Sequence, residues 1–173
     1  MVVIELDRPS LEPPDPLFPM SSADLETINR FIWSGENEAN VSHEWTKLYH
    51  HRMFDQPHSQ VEFMLAKLAL AEPTGEAQIS LWEKSVDQYQ EISPCTLVIW
   101  GRKKHDVLEL HVHAHSSDAY KKLLMNLQEF ISLQQYLASR LQLKMGKYYH
   151  ILDSCHIHCE DEESSRVLIE KMA

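Results

Sequence analysis

The stretch from Ala119 to Leu143 does most to limit the folds open to this chain. Leu123, Leu127, Phe130, Ile131, Leu137 and Leu141 recur there at the helical period, and Gln134 falls on the same stripe and interrupts it. So long an apolar face must be covered, so the spacing predicts a central, mostly buried helix. Gly146 is expected to end it. Strand-like segments surround it. Thr96 to Trp100 is a compact apolar run, Gly101 to Asp106 a turn, Val107 to His113 a second strand and Tyr148 to His158 a last one. Ala77 to Trp82 alternates as a further strand. A helix is expected from Ser21 or Ser22 to Ser34, with Ser21 and Asp24 as a capping box and Gly35 as its stop. Another is expected from His58 to Ala71, broken by Pro73-Thr74-Gly75. The acidic run Glu160 to Glu163 precedes a short terminal helix, where negative charge suits the N-terminus. Strands and helices mixed without strict alternation imply an α+β fold with helices on one side of a sheet. Pro9, Pro13, Pro14, Pro16 and Pro19 make residues 1–20 an extended arm ahead of a single domain over 21–173.

The composition narrows the function classes. A formal net charge of −10 argues against broad nucleic-acid binding, which needs clustered cations to neutralise phosphates. The one basic cluster, Arg102-Lys103-Lys104, reads as a solvated hairpin tip. With only four glycines, a Gly-rich phosphate loop is excluded. Three cysteines, an odd number, read as thiols rather than a disulfide framework. No apolar stretch approaches the length of a membrane span, and Met1 to Glu5 lacks the character of a signal peptide, so a cytoplasmic protein is expected.

One constellation carries chemistry. Cys95 sits directly before the apolar run that starts at Thr96. Downstream come His115-Ser116-Ser117-Asp118, then Asn126, then His156-Ile157-His158. A thiol, a polar elbow, an amide and two imidazoles on separate elements suit attack on a flat heterocycle and its retention. Taken singly, Cys95 is a buried structural thiol, Asn126 a helix-surface residue, and Ser116 and Asp118 caps of the following helix. A rival reading is a metal-dependent enzyme built on the histidine ladder His111, His113, His115 and on His156, His158 and Glu160. Three ladder members span about 13 Å at ~3.3 Å per residue, so all three cannot meet one ion. A mixed site from two strands remains the metal alternative.

The ordered set Pro94-Cys95, His115-Ser116-Ser117-Asp118, Asn126, Asp153 and His156-Ile157-His158 resembles the thymidylate synthase superfamily, with the family's intervals kept. Trp82 matches a family tryptophan. His43-Glu44-Trp45 and Arg30-Phe31-Ile32-Trp33-Ser34-Gly35 resemble two further family segments. The resemblance implies a thymidylate-synthase-like mixed sheet covered by helices and a homodimer formed through the back of the sheet. It implies methylation or hydroxymethylation at C5 of a uracil-like pyrimidine, with 5,10-methylene-tetrahydrofolate as one-carbon donor. Cys95 would be the nucleophile, Asn126 would read the ring edge, and Glu26 is the nearest counterpart of the family's catalytic carboxylate. His115, Ser116, Asp118, His156 and His158 would bind the substrate, and Trp33 and Trp45 the folate. The sequence departs from the family at His115, where an arginine is expected, and at Gly75 and Glu76, where two partner-donated arginines are expected. A carboxylate in place of those cations repels a phosphate dianion, so the substrate implied is not an ordinary nucleoside monophosphate. The same losses imply the alternative of a non-catalytic binding or scaffold protein on this fold.

Overall fold

Strands β1 (Val2–Leu6), β2 (Gln78–Ser80), β3 (Thr96–Lys104), β4 (Val107–Asp118) and β5 (Lys144–His156) form one five-stranded sheet in the order β1-β5-β4-β3-β2. The structure is a computed structural model that describes residues 1–72 and 74–172; Pro73, expected within a helix break, lies outside them. Among the described residues six helices accompany the sheet: α1 (Ser22–Ser34), α2 (Glu44–Phe54), α3 (Gln60–Ala69), α4 (Lys84–Asp87), α5 (Leu123–Leu141) and α6 (Glu162–Met172). The class is α+β, as the mixed pattern implied.

Pairing directions decide where the site lies. β3 and β4 are antiparallel, while β4 and β5 are parallel because α5 carries the chain back between them. The start of β3 and the ends of β4 and β5 therefore meet at one end of the sheet. Thr96 pairs there with Ala114, and Asp118 with His156. α5 packs against β4 and β5, α3 against β2 and β3, and α2 against β2. Phe130, Leu133 and Leu137 on α5 and Leu110, Val112 and Tyr148 on the sheet are fully buried in one core.

Several boundaries differ from the expectation for physical reasons. α5 begins at Leu123, and its end is set by Gln142 in the left-handed region (φ 56), not by Gly146. Gly146 lies inside β5, where a Cβ would meet the Leu108 carbonyl oxygen at 2.8 Å. The β3–β4 hairpin turns at His105 and Asp106, beyond the expected tip, because the ladder continues through charged positions such as Arg102, paired with Glu109. β4 runs on to Asp118, so the polar elbow is a strand end. β5 closes at His156, leaving His158 just past it rather than on the same strand face. β1 and α2 had no counterpart in the expected elements. β1 is a short edge strand, and the polar run His50-His51-Arg52 dilutes the period of α2.

Gln134, the break in the α5 stripe, is wholly buried. Its Nε2 donates to the carbonyls of Leu108 (2.8 Å), Gly146 (3.2 Å) and Lys147 (3.3 Å). The β4–β5 register shifts between Leu108 and Leu110, so the amide satisfies carbonyls beside that irregularity. Among the described residues, no helix is long and apolar enough to cross a membrane.

Candidate active site

Cys95 is half-buried and unpaired, at the turn into β3. The Ser116 hydroxyl donates to its sulfur at 3.5 Å, and the His115 backbone N–H donates to its carbonyl at 3.0 Å. The next residue, Thr96, donates its N–H to the Tyr49 hydroxyl at 3.1 Å. Tyr49 lies on α2 and is buried, and burial pushes its hydroxyl well above the ordinary range. The thiol thus receives a hydroxyl donor from β4, and the residue that follows it is held by a neutral phenol from α2. A hydroxyl placed there can stabilise a thiolate by donating to it.

Asn126 occupies the first turn of α5. Its Nδ2 donates to Glu129 Oε1 at 2.7 Å, and Thr46 Oγ1 on α2 donates to Glu129 Oε2 at 2.9 Å. Glu129 is completely buried. Burial pushes its carboxyl from 4.5 to about 7, and the two hydrogen bonds only partly oppose this. Beneath it, the Tyr148 hydroxyl is 2.7 Å from His150 Nδ1. Burial drives His150 down to about 4, so the imidazole is neutral and can accept from the phenol. Lys122, just ahead of α5, is half-buried and lies 3.1 Å from His43 Nδ1; burial holds both groups below their ordinary values.

The buried carboxyl makes stability pH-dependent. The folded state binds the Glu129 proton more tightly than the unfolded chain, so stability falls as pH rises from 4.5 to about 7. The loss is roughly 3 kcal/mol at 1.36 kcal/mol per unit. Glu129→Gln is expected to match the wild type near the lower limit and to exceed it by about 2–3 kcal/mol above neutrality. Urea unfolding over a pH series measures this, and parallel pH profiles for the two proteins would contradict it.

The remaining predicted residues are placed as follows. Asp118 Oδ1 accepts from the N–H groups of Tyr120 (2.9 Å) and Lys121 (3.2 Å), closing the turn into α5. The Ala119 N–H donates to the His156 carbonyl at 2.8 Å. The His156 and His158 rings meet edge-on at 5.0 Å despite the end of the strand between them. Cys95, His115, Ser116, Asp118, Asn126 and His156 therefore gather at one end of the sheet. Glu26 is exposed on α1, bordering a surface hollow with Arg30, Glu36 and Asn37. The Trp33 indole N–H donates to Ser132 at 3.1 Å and its ring stacks on Tyr136 at 5.3 Å. Glu26 and Arg30 also line a larger hollow of about 530 Å³ together with Trp33, Asn29, Gln128 and Gln135, which shares no lining residue with the contacts of Cys95. Trp45 packs half-buried against the main core. Among the described residues no three His, Cys, Asp or Glu side chains are placed to hold a metal ion. The ladder is engaged otherwise: His111 stacks on Tyr149 at 4.4 Å, and His113 contacts Asp153 at 3.1 Å.

Glu129, Tyr49 and Thr46 escaped the reading of the sequence. The available signal for Glu129 was an acid flanked by Asn126 and Phe130, within the arc that faces the core. Tyr49 and Thr46 lie on the unanticipated α2.

Comparison with known proteins agrees with the fold. The profile of the thymidylate synthase family matches residues 21–173. Two archaeal proteins, each described as a "putative thymidylate synthase", are similar to the chain. The one from Methanocaldococcus jannaschii is 23% identical over 170 residues, covering 91% of this chain and 73% of its own length. The one from Methanococcoides burtonii is 25% identical over 146 residues, covering 84% and 66%. A deoxyuridylate hydroxymethyltransferase of Bacillus phage SP01 is 30% identical over 69 residues, 39% of this chain and 18% of that protein. The solved thermostable thymidylate synthase A from Bacillus subtilis shares the fold, with a TM-score of 0.80 at 17% identity over 98% of this chain and 69% of that one.

Proposed function

The chain belongs to the thymidylate synthase family, and from that premise we propose that it adds a one-carbon unit to C5 of a uracil-like pyrimidine. The observation that carries the reading is the convergence of the start of β3 with the ends of β4 and β5, which brings the Ser116 hydroxyl onto the Cys95 sulfur. The Cys95 thiolate bonds to C6 of the ring, and the displaced electron pair moves onto O4 as an enolate. C5 then becomes nucleophilic. Asn126 donates to the developing charge at O4 and accepts from N3–H. His156 and His158 contact the sugar, and His115 and Ser116 line the position where the family binds phosphate.

5,10-Methylene-tetrahydrofolate, the family's donor, would supply the carbon at methylene oxidation level. Trp33 and Trp45 would hold it: both are half-buried, and Trp33, whose N–H is engaged by Ser132, borders the hollow of about 530 Å³. A homodimer through the uncovered sheet face belongs to the same reading. Trp100 meets His111 edge-on at 4.9 Å, and His111 stacks on Tyr149, giving that face a continuous aromatic patch.

Incubation with labelled methylene-tetrahydrofolate and a panel of pyrimidine bases, nucleosides and monophosphates tests the proposal. Label is expected on a uracil-type nucleoside ahead of its monophosphate. No transfer to any ring, with an unreactive Cys95, would instead favour a non-catalytic binding or scaffold protein on this fold. Glu76 favours that second reading, since it stands where the family places a phosphate-binding arginine and is tied to Lys67.

A further inference from the structure

We propose that Glu129 fixes the hydrogen-bond polarity of the Asn126 amide and thereby decides which pyrimidine edge the site accepts. This rests on the ring-binding role proposed for Asn126, and it makes Glu129 a positioning residue.

An asparagine amide carries a donor end and an acceptor end of nearly the same shape. Either can face a ligand unless a neighbour breaks the tie. An ionised carboxylate only accepts hydrogen bonds. Glu129 is wholly buried, and the Thr46 hydroxyl occupies its other oxygen at 2.9 Å. The oxygen left over, 2.7 Å from Asn126, holds the Nδ2 end toward itself. The amide then presents Oδ1 and its remaining N–H in one fixed order. A uracil edge offers N–H beside a carbonyl; a cytosine edge offers a ring nitrogen beside an amino group, the reverse order. With the ring seated by Cys95 at C6, one order of donor and acceptor matches and the other leaves two groups unpaired.

A protonated Glu129 can donate instead, to Oδ1 of the reversed amide. The selection then turns on the charge of this carboxyl. The groups that face it are Lys122 from the segment before α5, Tyr49 and Thr46 from α2, and Tyr148 with its partner His150 from β5. Asp118 and His43 act on it through Lys122. Burial keeps both phenols protonated and His150 neutral near pH 7. Lys122 is the cation that favours the ionised form, while burial pushes the Glu129 carboxyl up to about 7.

Two measurements test the proposal: the Asn126 side-chain amide signals in nitrogen-edited NMR across pH, and the affinities for uridine and cytidine well above and well below neutrality. The amide signals are expected to titrate with a midpoint of about 7 in the wild type and to be flat in Glu129→Gln. Glu129→Asp retains a carboxylate and is expected to retain a titrating amide. The uridine preference is expected to fall about tenfold or more on acidification, the worth of the two hydrogen bonds that the reversed amide leaves unmade, and to be low at both pH values in Glu129→Gln. That variant is expected to be at least as stable as the wild type, so unfolding does not mimic the result. A flat amide in a wild-type protein that binds uridine overturns the proposal alone. A titrating amide in a protein that binds neither nucleoside overturns it through the ring-binding reading on which it rests.

Discussion

Cys95→Ser is expected to lower one-carbon transfer by about a thousandfold or more while leaving the fold and pyrimidine binding unchanged. C6 of a pyrimidine is a weak electrophile, and a thiolate is the soft nucleophile that can attack it near neutral pH. A serine hydroxyl is not ionised there, and neither hydroxyl-bearing side chain described around Cys95 is a base for its proton. Tyr49 is a phenol held protonated by burial, and Ser116 is a donor toward the sulfur. The substitution removes little volume from a half-buried position, so stability is expected to stay within about 0.5 kcal/mol. Single-turnover transfer, uridine binding and urea unfolding together check the prediction. A variant turning over within threefold of the wild type would remove covalent attack from the mechanism.

Asp87→Ala is expected to cost about 3–5 kcal/mol of folding stability, the penalty for leaving a buried charge without its partner. Arg52 meets Asp87 through two bonds of 2.7 and 2.8 Å, and also donates to the Leu81 carbonyl at 2.5 Å. The side chains are 11% and 2% exposed, so water cannot replace the lost carboxylate cheaply. Arg52 holds the Asp87 carboxyl below its ordinary value of 3.8. The pair's contribution is therefore complete at neutral pH and disappears as pH falls through the lowered folded value. The gap between variant and wild type should narrow in acid accordingly. Arg52 lies one turn beyond Tyr49 on α2, so the same substitution should speed hydrogen exchange at Thr96, whose N–H the Tyr49 hydroxyl holds. A cost below about 1 kcal/mol would show that Arg52 finds solvent instead.

What the sequence disclosed followed from how strongly each signal was tied to backbone geometry. The α5 stripe, the Ser21 cap on α1 and the Gly35 stop are local rules, and each appears where expected. The ends of strands depend on partners distant in sequence. Arg102 and Glu109 lengthen the hairpin because their side chains pair across it, which no alternation pattern encodes. The loss of α2 from the reading had a similar origin. Arg52 and Tyr49, polar or amphipathic by composition, are buried through contacts with Asp87 and Thr96 far along the chain. At the site, the order Cys95, Ser116, Asp118, Asn126, His156 was legible because the residue types are chemically distinctive and their intervals fall into a known series. Glu129 was not, since a glutamate on a helix looks solvated until its surroundings are known. Glu26 drew notice through its place on α1, yet it is exposed, whereas Glu129 sits beside Asn126.

The three carbonyls gathered by Gln134 have a consequence for a residue well removed from them. Beside the hydrocarbon contacts of Phe130, Leu133 and Leu137, one amide pins helix α5 to the sheet at a fixed point. Asn126 lies roughly 12 Å further up the same rod, at 1.5 Å per residue. A side chain at Gly146, where a Cβ would meet the Leu108 carbonyl oxygen at 2.8 Å, is therefore expected to loosen the hold that Gln134 has on the sheet at the base of this rod.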